Sequence, residues 1–216
     1  MSEFFSAAWI EPVATVLGVV AIGLMIRQSV WNFPIGLVQV VLSGIIFYNA
    51  RFYGEVKLQA LYFVMLCYGW AHWLGKGREG RGARSGRPAQ PVEPDAEEPV
   101  LPVTRLSLAW RVGYLVVGVA ATLLWGGYMA RATDAAAPYR DAFITSFSVL
   151  LSFLQVRKKI ENWAGWVVVN GVASATYFAA GLYWFGVLYF FFLLLAVSGH
   201  VEWMKSYRKR RYAIAP

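Results

Sequence analysis

Amide, hydroxyl and aromatic side chains recur along single helical faces of three long apolar segments. Their spacings of three, four and seven residues place them on one side of an α-helix. The faces are Asn32, Gly36, Gln39, Ser43 and Phe47 in the second segment, Gln59, Tyr62, Leu66, Trp70 and Trp73 in the third, and Trp163, Trp166, Asn170, Ser174 and Tyr177 in the sixth. Because an amide that faces lipid is costly, we expect these faces to point inward.

Aromatic walls combined with amides suit the binding of a flat, polar solute, neutral or cationic. Aromatic rings attract a cation without a buried carboxylate, and amides both donate and accept hydrogen bonds. We favour a ligand site at Trp166 and Asn170 joined with Gln39 and Gln59. The alternative is that the amides hydrogen-bond across a helical bundle and the aromatic residues form interfacial belts.

The composition excludes most classes of soluble protein. The 216 residues are 58% apolar and 15% charged, with a mean hydropathy of +0.49, whereas soluble chains carry roughly 25% charged residues. Apolar runs near the length of a bilayer crossing recur without alternation, which predicts a polytopic all-α membrane protein rather than a β-barrel. Basic residues accumulate in the cytosolic loops of membrane proteins, and this explains the net charge of +8 without a nucleic acid partner.

Seven transmembrane helices are predicted. The apolar segments are residues 9–26, 33–49, 56–74, 106–130, 142–156 and a last stretch, 162–204, that is too long for one crossing. Gly181 is the predicted break in this stretch. The Gly-, Pro- and charge-rich segment 75–105 is predicted to be a flexible cytosolic loop, and residues 205–216 a basic cytosolic tail.

The basic residues predict the orientation. With the C-terminus in the cytosol, 16 of the 20 Lys and Arg residues lie inside and four lie outside. This asymmetry is the positive-inside signal, so the N-terminus is expected outside.

Residues 32–73 align without gaps with a later part of the chain when Asn32 is placed on Asn162. At this constant shift, the further matched pairs are Tyr53 with Tyr183, Leu58 with Leu188, Gly69 with Gly199, and Trp73 with Trp203. The shift predicts two three-helix repeats, 9–74 and 138–204, that point the same way and are separated by a linker helix at 106–130. Parallel repeats in this 3+1+3 order occur in sugar transporters of the SWEET class, with a solute site near the bilayer midplane between the repeats.

Ionisable residues lie at the ends of the predicted spans rather than in the middle. Ion-coupled transport commonly uses such groups at depth, so the sequence favours passive transport. No metal or cofactor is expected, because Cys67 is the only cysteine and the two histidines have no carboxylate at depth. For the same reason the protein is not expected to be an enzyme. The alternative function is that of a seven-helix sensor that transports no solute.

Three stretches resemble the PnuC family of bacterial vitamin transporters. They are WIEPVATVLGVVAIGL at Trp9–Leu24, the stretch Tyr48–Trp73 that ends in YGWAHW, and VRKKIENWAGWVVVNGVASATYFAAGLY at Val156–Tyr183. The most specific element is Glu161-Asn162-Trp163-x-x-Trp166 followed by Asn170.

The resemblance implies facilitated diffusion of nicotinamide riboside across the bacterial inner membrane. It also implies a full-length SWEET-like fold of seven helices and assembly as a homotrimer. Members with the same frame carry thiamine or riboflavin, and both remain alternatives. The substrate-binding residues expected from the faces and the motif together are Asn162, Trp163, Trp166, Asn170, Tyr177, Gln39, Ser43, Gln59 and Tyr62.

Overall fold

The structure is a computed structural model that describes residues 9–49, 53–84, 101–134 and 137–214. These residues form seven helices, which we number in chain order: α1 (Ile10–Ile26), α2 (Asn32–Asn49), α3 (Tyr53–Arg84), α4 (Leu108–Ala132), α5 (Pro138–Val156), α6 (Glu161–Ala179) and α7 (Tyr183–Ile214). The all-helical fold class is therefore as predicted.

The chain divides into two compact units. Unit 1 spans Met1–Pro102, and unit 2 spans Val103–Pro216. In unit 1, α1 packs against α2 and α2 packs against α3. In unit 2, α4 packs against α5, α5 against α6, and α6 against α7.

The turn between α1 and α2 has the same backbone as the turn between α5 and α6. Gln28 and Lys158, which the sequence repeat pairs with each other, have positive φ angles of 59° and 49°. The N–H of Gln28 donates to Met25 O at 3.0 Å, and that of Lys158 donates to Gln155 O at 3.0 Å. The shift predicted from the sequence thus also relates the local geometry of the two units.

The same shift relates the helix ends and one aromatic contact. Helices α1 and α5 end at Ile26 and Val156, and α3 and α7 begin at Tyr53 and Tyr183. The edge of one ring meets the face of the other in both units. These pairs are Phe33 with Trp73, whose centroids are 4.9 Å apart, and Trp163 with Trp203, whose centroids are 5.4 Å apart.

Gly181 separates α6 from α7, as predicted. Its φ of +74° lies in the left-handed region, which a residue without a Cβ adopts at no steric cost. The N–H of Leu182 donates to Tyr177 O at 2.9 Å, so the turn closes the end of α6 before α7 begins.

Helix α3 extends further than the sequence predicted. A flexible loop was expected from residue 75, but the helix continues to Arg84. Adding a residue to an existing helix is easier than starting one, so α3 continues here although four residues of the stretch 75–84 are glycines, which are poor helix formers. Residues 85–100 of the predicted loop lie outside the described residues. Leu101 and Val103, near its end, are buried.

Three of the described helices are long and apolar enough to cross a membrane by length and composition. They are Asn32–Asn49, Leu108–Ala132 and the Tyr183–Arg210 part of α7. Ile10–Ile26 is apolar but has only 17 residues. Helices α3, α5 and α6 are less apolar because they carry polar residues such as Gln59, Asp141 and Asn170.

Candidate functional site

Trp163, the first aromatic residue of the predicted α6 face, is packed inside the contact between α6 and α7. Only 2% of its surface is exposed. Gly199 of α7 lies against the indole, and a Cβ at that position would come within 2.6 Å of the ring. The indole Nε1 is buried and has no hydrogen-bond partner among the described residues. Trp163 thus stabilises the packing of two helices, and its stacking on a ligand stays a prediction.

Trp166 lies at the junction of α5 and α6. Its half-buried indole packs against the core cluster of Leu151, Leu154 and Val169. The indole Nε1 donates a hydrogen bond of 3.1 Å to Oε1 of Gln155, in the last turn of α5. The core cluster and this hydrogen bond together set the position and the tilt of the ring.

Asn170 lies one turn after Trp166 on the same helix. Only 6% of its surface is exposed. The hydroxyl of Ser174, one turn further, donates to Gly186 O at 2.8 Å and so ties α6 to α7. A nearly buried amide can both donate to and accept from a polar ligand, so Asn170 stays a predicted ligand-binding residue of this face.

Asn162 stabilises the turn that precedes α6. Its surface is fully buried, and its Nδ2 donates to Lys159 O at 2.6 Å. Its Oδ1 is buried and has no partner among the described residues. The Nδ2 group is therefore engaged by the backbone, and a ligand contact of Asn162 would involve its Oδ1.

Tyr177 lies far along α6 from the other predicted residues. It stacks on Tyr189 of α7, with ring centroids 5.2 Å apart, and contacts Phe185 at 5.4 Å. Eleven residues separate it from Trp166, which is roughly 16 Å along a helix. The two side chains are therefore not brought together.

The predicted site residues of unit 1 lie on α2 and α3. Gln39 donates from Nε2 to Ser43 Oγ at 2.9 Å, within one turn of α2. Gln59 of α3 faces Gly44 of α2, and its Oε1 is buried without a partner among the described residues. Tyr62 is half-buried three residues further along α3.

A short segment before α4 is tied to the turn between α5 and α6. The N–H of Thr104 donates to Lys158 O, and the N–H of Ile160 donates to Thr104 O, both at 3.0 Å. The Thr104 hydroxyl also accepts a hydrogen bond of 2.9 Å from Lys159 Nζ. We call residues 103–106 the strap, because they fasten the turn from which the candidate site on α6 begins.

Glu161 joins the strap to α4 at the start of α6. Its Oε1 accepts a hydrogen bond of 3.1 Å from the N–H of Leu106 and lies 2.8 Å from an Nη of Arg111. A carboxylate in the first turn also interacts favourably with the helix dipole. A hydrogen bond, an ion pair and the interaction with the helix dipole thus stabilise the first turn of α6.

Lys158 is buried at the centre of the strapped turn. Its side chain has no exposed surface. Desolvation by burial lowers the pKa of Lys158 from 10.5 to about 7. The positively charged form is therefore disfavoured in the folded protein.

Two features of the site were missed in the sequence. Gln155 is an amide in an apolar segment, the same signal that singled out Gln39 and Gln59, but it precedes Trp166 on another helix rather than sharing its helical face. The strap lay within a predicted loop, and no local pattern joins Thr104 to Lys159 across 55 residues.

Comparison with a family model settles the class of protein. The model described as nicotinamide mononucleotide transporter matches residues 8–205. The chain belongs to this transporter family. Because the family consists of transporters and this chain has helices apolar enough to cross a membrane, the chain is a multi-pass bacterial membrane protein. The activity of the family is transport. The resemblance to the PnuC family is thus confirmed.

Two named transporters and one solved structure are similar to this chain over nearly its whole length. The nicotinamide riboside transporter PnuC of Escherichia coli is 26% identical over 95% of this chain and 89% of its own length. The riboflavin/roseoflavin transporter RibM of Streptomyces davaonensis is 29% identical over 94% and 88%. The crystal structure of the vitamin B3 transporter PnuC has the same fold, with a TM-score of 0.69, 22% identity and coverage of 94% of this chain and 83% of that chain.

Proposed function

We propose that this protein carries nicotinamide riboside across the bacterial inner membrane by facilitated diffusion. The observation that carries the proposal is the pair formed by Trp166 and Asn170. Nicotinamide riboside has a flat pyridinium ring with a positive charge, a carboxamide and a ribose. Trp166 provides an aromatic surface for the cation, and Asn170 provides a nearly buried amide one turn further along the same helix. Relatives named as nicotinamide riboside transporters support this assignment.

The transport path proposed here runs between two three-helix repeats in a SWEET-like 3+1+3 order. The same turn occurs at Gln28 and at Lys158, which supports two repeats whose elements follow one another in the same order. For Gln39, Ser43, Gln59 and Tyr62 of unit 1, hydrogen bonds to the ribose hydroxyls remain the expectation from their helical faces. Ligand contacts of Trp163, Asn162 and Tyr177 stay predictions, because these side chains are engaged in helix packing or in the turn before α6.

The proposed orientation places the N-terminus outside and the C-terminus in the cytosol. It rests on the distribution of basic residues, 16 of 20 of which then lie on the cytosolic side. Assembly as a homotrimer is proposed from the family resemblance. The strongly apolar, exposed surface of α4, which includes Leu108, Leu115 and Leu124, suits contact with lipid or with a neighbouring protomer.

Riboflavin is the second candidate substrate. RibM, a riboflavin and roseoflavin transporter, is 29% identical to this chain. The flat isoalloxazine ring of riboflavin would also stack on Trp166, but this ring is neutral and larger than a pyridinium. Thiamine is cationic and aromatic, so the chemistry of the α6 face does not distinguish it from nicotinamide riboside.

The test is a titration of the purified full-length protein by calorimetry. Nicotinamide riboside, thiamine and riboflavin are compared, with dihydronicotinamide riboside and nicotinamide mononucleotide as matched ligands. The dihydro form keeps the carboxamide and the ribose but loses the ring charge, so a cation–π contact predicts weaker binding by roughly two- to thirtyfold. The mononucleotide adds a phosphate. Tightest binding of riboflavin would favour the second candidate, and absence of binding of all these ligands would contradict a vitamin transporter.

A further inference from the structure

We infer that Gln155 is a positioning residue for the substrate, because its side-chain oxygen holds the indole of Trp166 in the orientation in which a vitamin ring stacks on it. This inference rests on the proposed function. Gln155 does not belong to the α6 face, and its role is to act through Trp166.

The geometry around the indole supports this role. An indole has one polar atom, the Nε1–H donor, and in Trp166 that donor is engaged by Gln155 Oε1 at 3.1 Å. The core cluster beside the ring is apolar and offers no acceptor to the indole N–H. The hydrogen bond to Gln155 therefore adds a directional constraint on the tilt of the ring to the constraint from packing.

The position of Gln155 is itself held by the strap. Gln155 lies in the last turn of α5, and its backbone oxygen accepts a hydrogen bond of 3.0 Å from the N–H of Lys158. Lys158 O in turn accepts from Thr104 at 3.0 Å. The acceptor for Trp166 is thus attached to a fastened turn, which is the arrangement that a preorganised binding site requires.

Comparison of the two units shows that this device belongs to unit 2 alone. At the shift that pairs Asn32 with Asn162, Met25 corresponds to Gln155 and Gly36 to Trp166. The shared turn therefore does not require a glutamine, since Met25 occupies the same place in unit 1. The glutamine occurs where an indole lies within reach of it.

The experiment measures ligand affinity for single and double variants of the full-length protein. Gln155→Met removes the acceptor and keeps a flexible side chain of similar size, as at Met25. We expect affinity for nicotinamide riboside to weaken by about three- to tenfold, the effect of losing one neutral hydrogen bond. In a Trp166→Phe background, where the donor is absent, the same change should have little further effect. Gln155→Glu keeps an accepting oxygen and should bind at least as tightly as the wild type.

Two controls separate positioning from a general loss of stability. Thr122→Val removes a hydroxyl that donates to Gly118 O at 2.8 Å on α4, and we expect unchanged affinity. Thermal unfolding of every variant shows whether the fold is retained, and Gln155→Leu is the second variant if the methionine variant does not fold.

Wild-type affinity in Gln155→Met, or equal weakening by this change in the wild-type and Trp166→Phe backgrounds, would overturn the inference. Failure of the wild-type protein to bind any of the vitamins would instead overturn the proposed function.

Discussion

Asn32 and Asn162 have the same role in two copies of one turn. Each side chain donates from Nδ2 to the carbonyl oxygen three residues earlier, Ser29 O and Lys159 O respectively. In each, Oδ1 is buried without a partner among the described residues. The sequence repeat matches these two residues with each other, so the repeated sequence encodes a repeated local structure.

Removing either amide should destabilise the protein by a similar amount. Asn32→Ala and Asn162→Ala each lose one side-chain hydrogen bond to the backbone of the turn. We expect the free energy of unfolding to fall by about 1 kcal/mol in each case. Denaturant unfolding of the two variants side by side checks this. An Asn162→Ala protein that is as stable as the wild type but does not bind ligand would show that Asn162 acts on the ligand instead.

The α6 face should separate binding from packing. Trp166→Ala removes a ring proposed to contact a cation, which predicts affinity weaker by roughly two- to thirtyfold. Asn170→Leu leaves a polar ligand group without its partner, which should weaken the binding free energy by about 1–3 kcal/mol. Trp203→Ala, at a fully buried residue that contacts Trp163, should lower stability by about 3–5 kcal/mol. Calorimetric titration and thermal unfolding of all three variants are the measurements.

The control for this series is that ligand affinity and thermal stability are measured on the same three variants. If the folded Trp166 and Asn170 variants bind as tightly as the wild type, the face is helix packing and the ligand binds elsewhere.

Close approach of α7 to α6 should depend on Gly199. A Cβ at this residue would lie 2.6 Å from the Trp163 ring, so Gly199→Ala should overpack the interface and lower stability by about 1–3 kcal/mol. Gly23→Ala is the matched control, because a Cβ there has no atom within 4 Å. It should be neutral or up to about 1 kcal/mol more stable. Equal thermal stability of the two variants would contradict the packing described for Trp163.

Burial of Lys158 should make stability depend on pH. Its pKa is about 7 in the folded protein and 10.5 when unfolded. Between these values the unfolded state binds a proton that the folded state does not, so stability rises with pH across this window, by at most about 1.4 kcal/mol per pH unit. Below about pH 7 both states are protonated and the cost of burying the charge is fully present.

The matched variant is Lys158→Gln, which introduces the residue found at the equivalent position, Gln28. Thermal unfolding between pH 6 and about 10 should show a rise for the wild type that is absent from the variant. The same rise in both proteins would assign it to other groups.

Local features of the fold followed from the sequence. The break at Gly181 and the ends of α1 and α2 depend on residues close together in the chain, where helical periodicity and glycine are informative. The repeat could be found because the matched residues, such as Asn32 and Asn162, recur at a constant spacing.

Contacts between distant segments did not follow from the sequence. Thr104 binds a turn 55 residues away, and it does so largely through backbone atoms, which leave no pattern of side chains. Trp166 was predicted as a site residue, but its partner Gln155 lies on another helix, and only the packing of α5 on α6 brings the two together.

Uptake into liposomes that contain the purified protein tests facilitated diffusion directly. With labelled nicotinamide riboside outside and no ion gradient, we expect uptake until the internal and external concentrations are equal. Trp166→Ala should slow this uptake at low substrate concentration. Two results would contradict facilitated diffusion of nicotinamide riboside: uptake no faster than in liposomes without protein, or accumulation above the external concentration that an uncoupler abolishes.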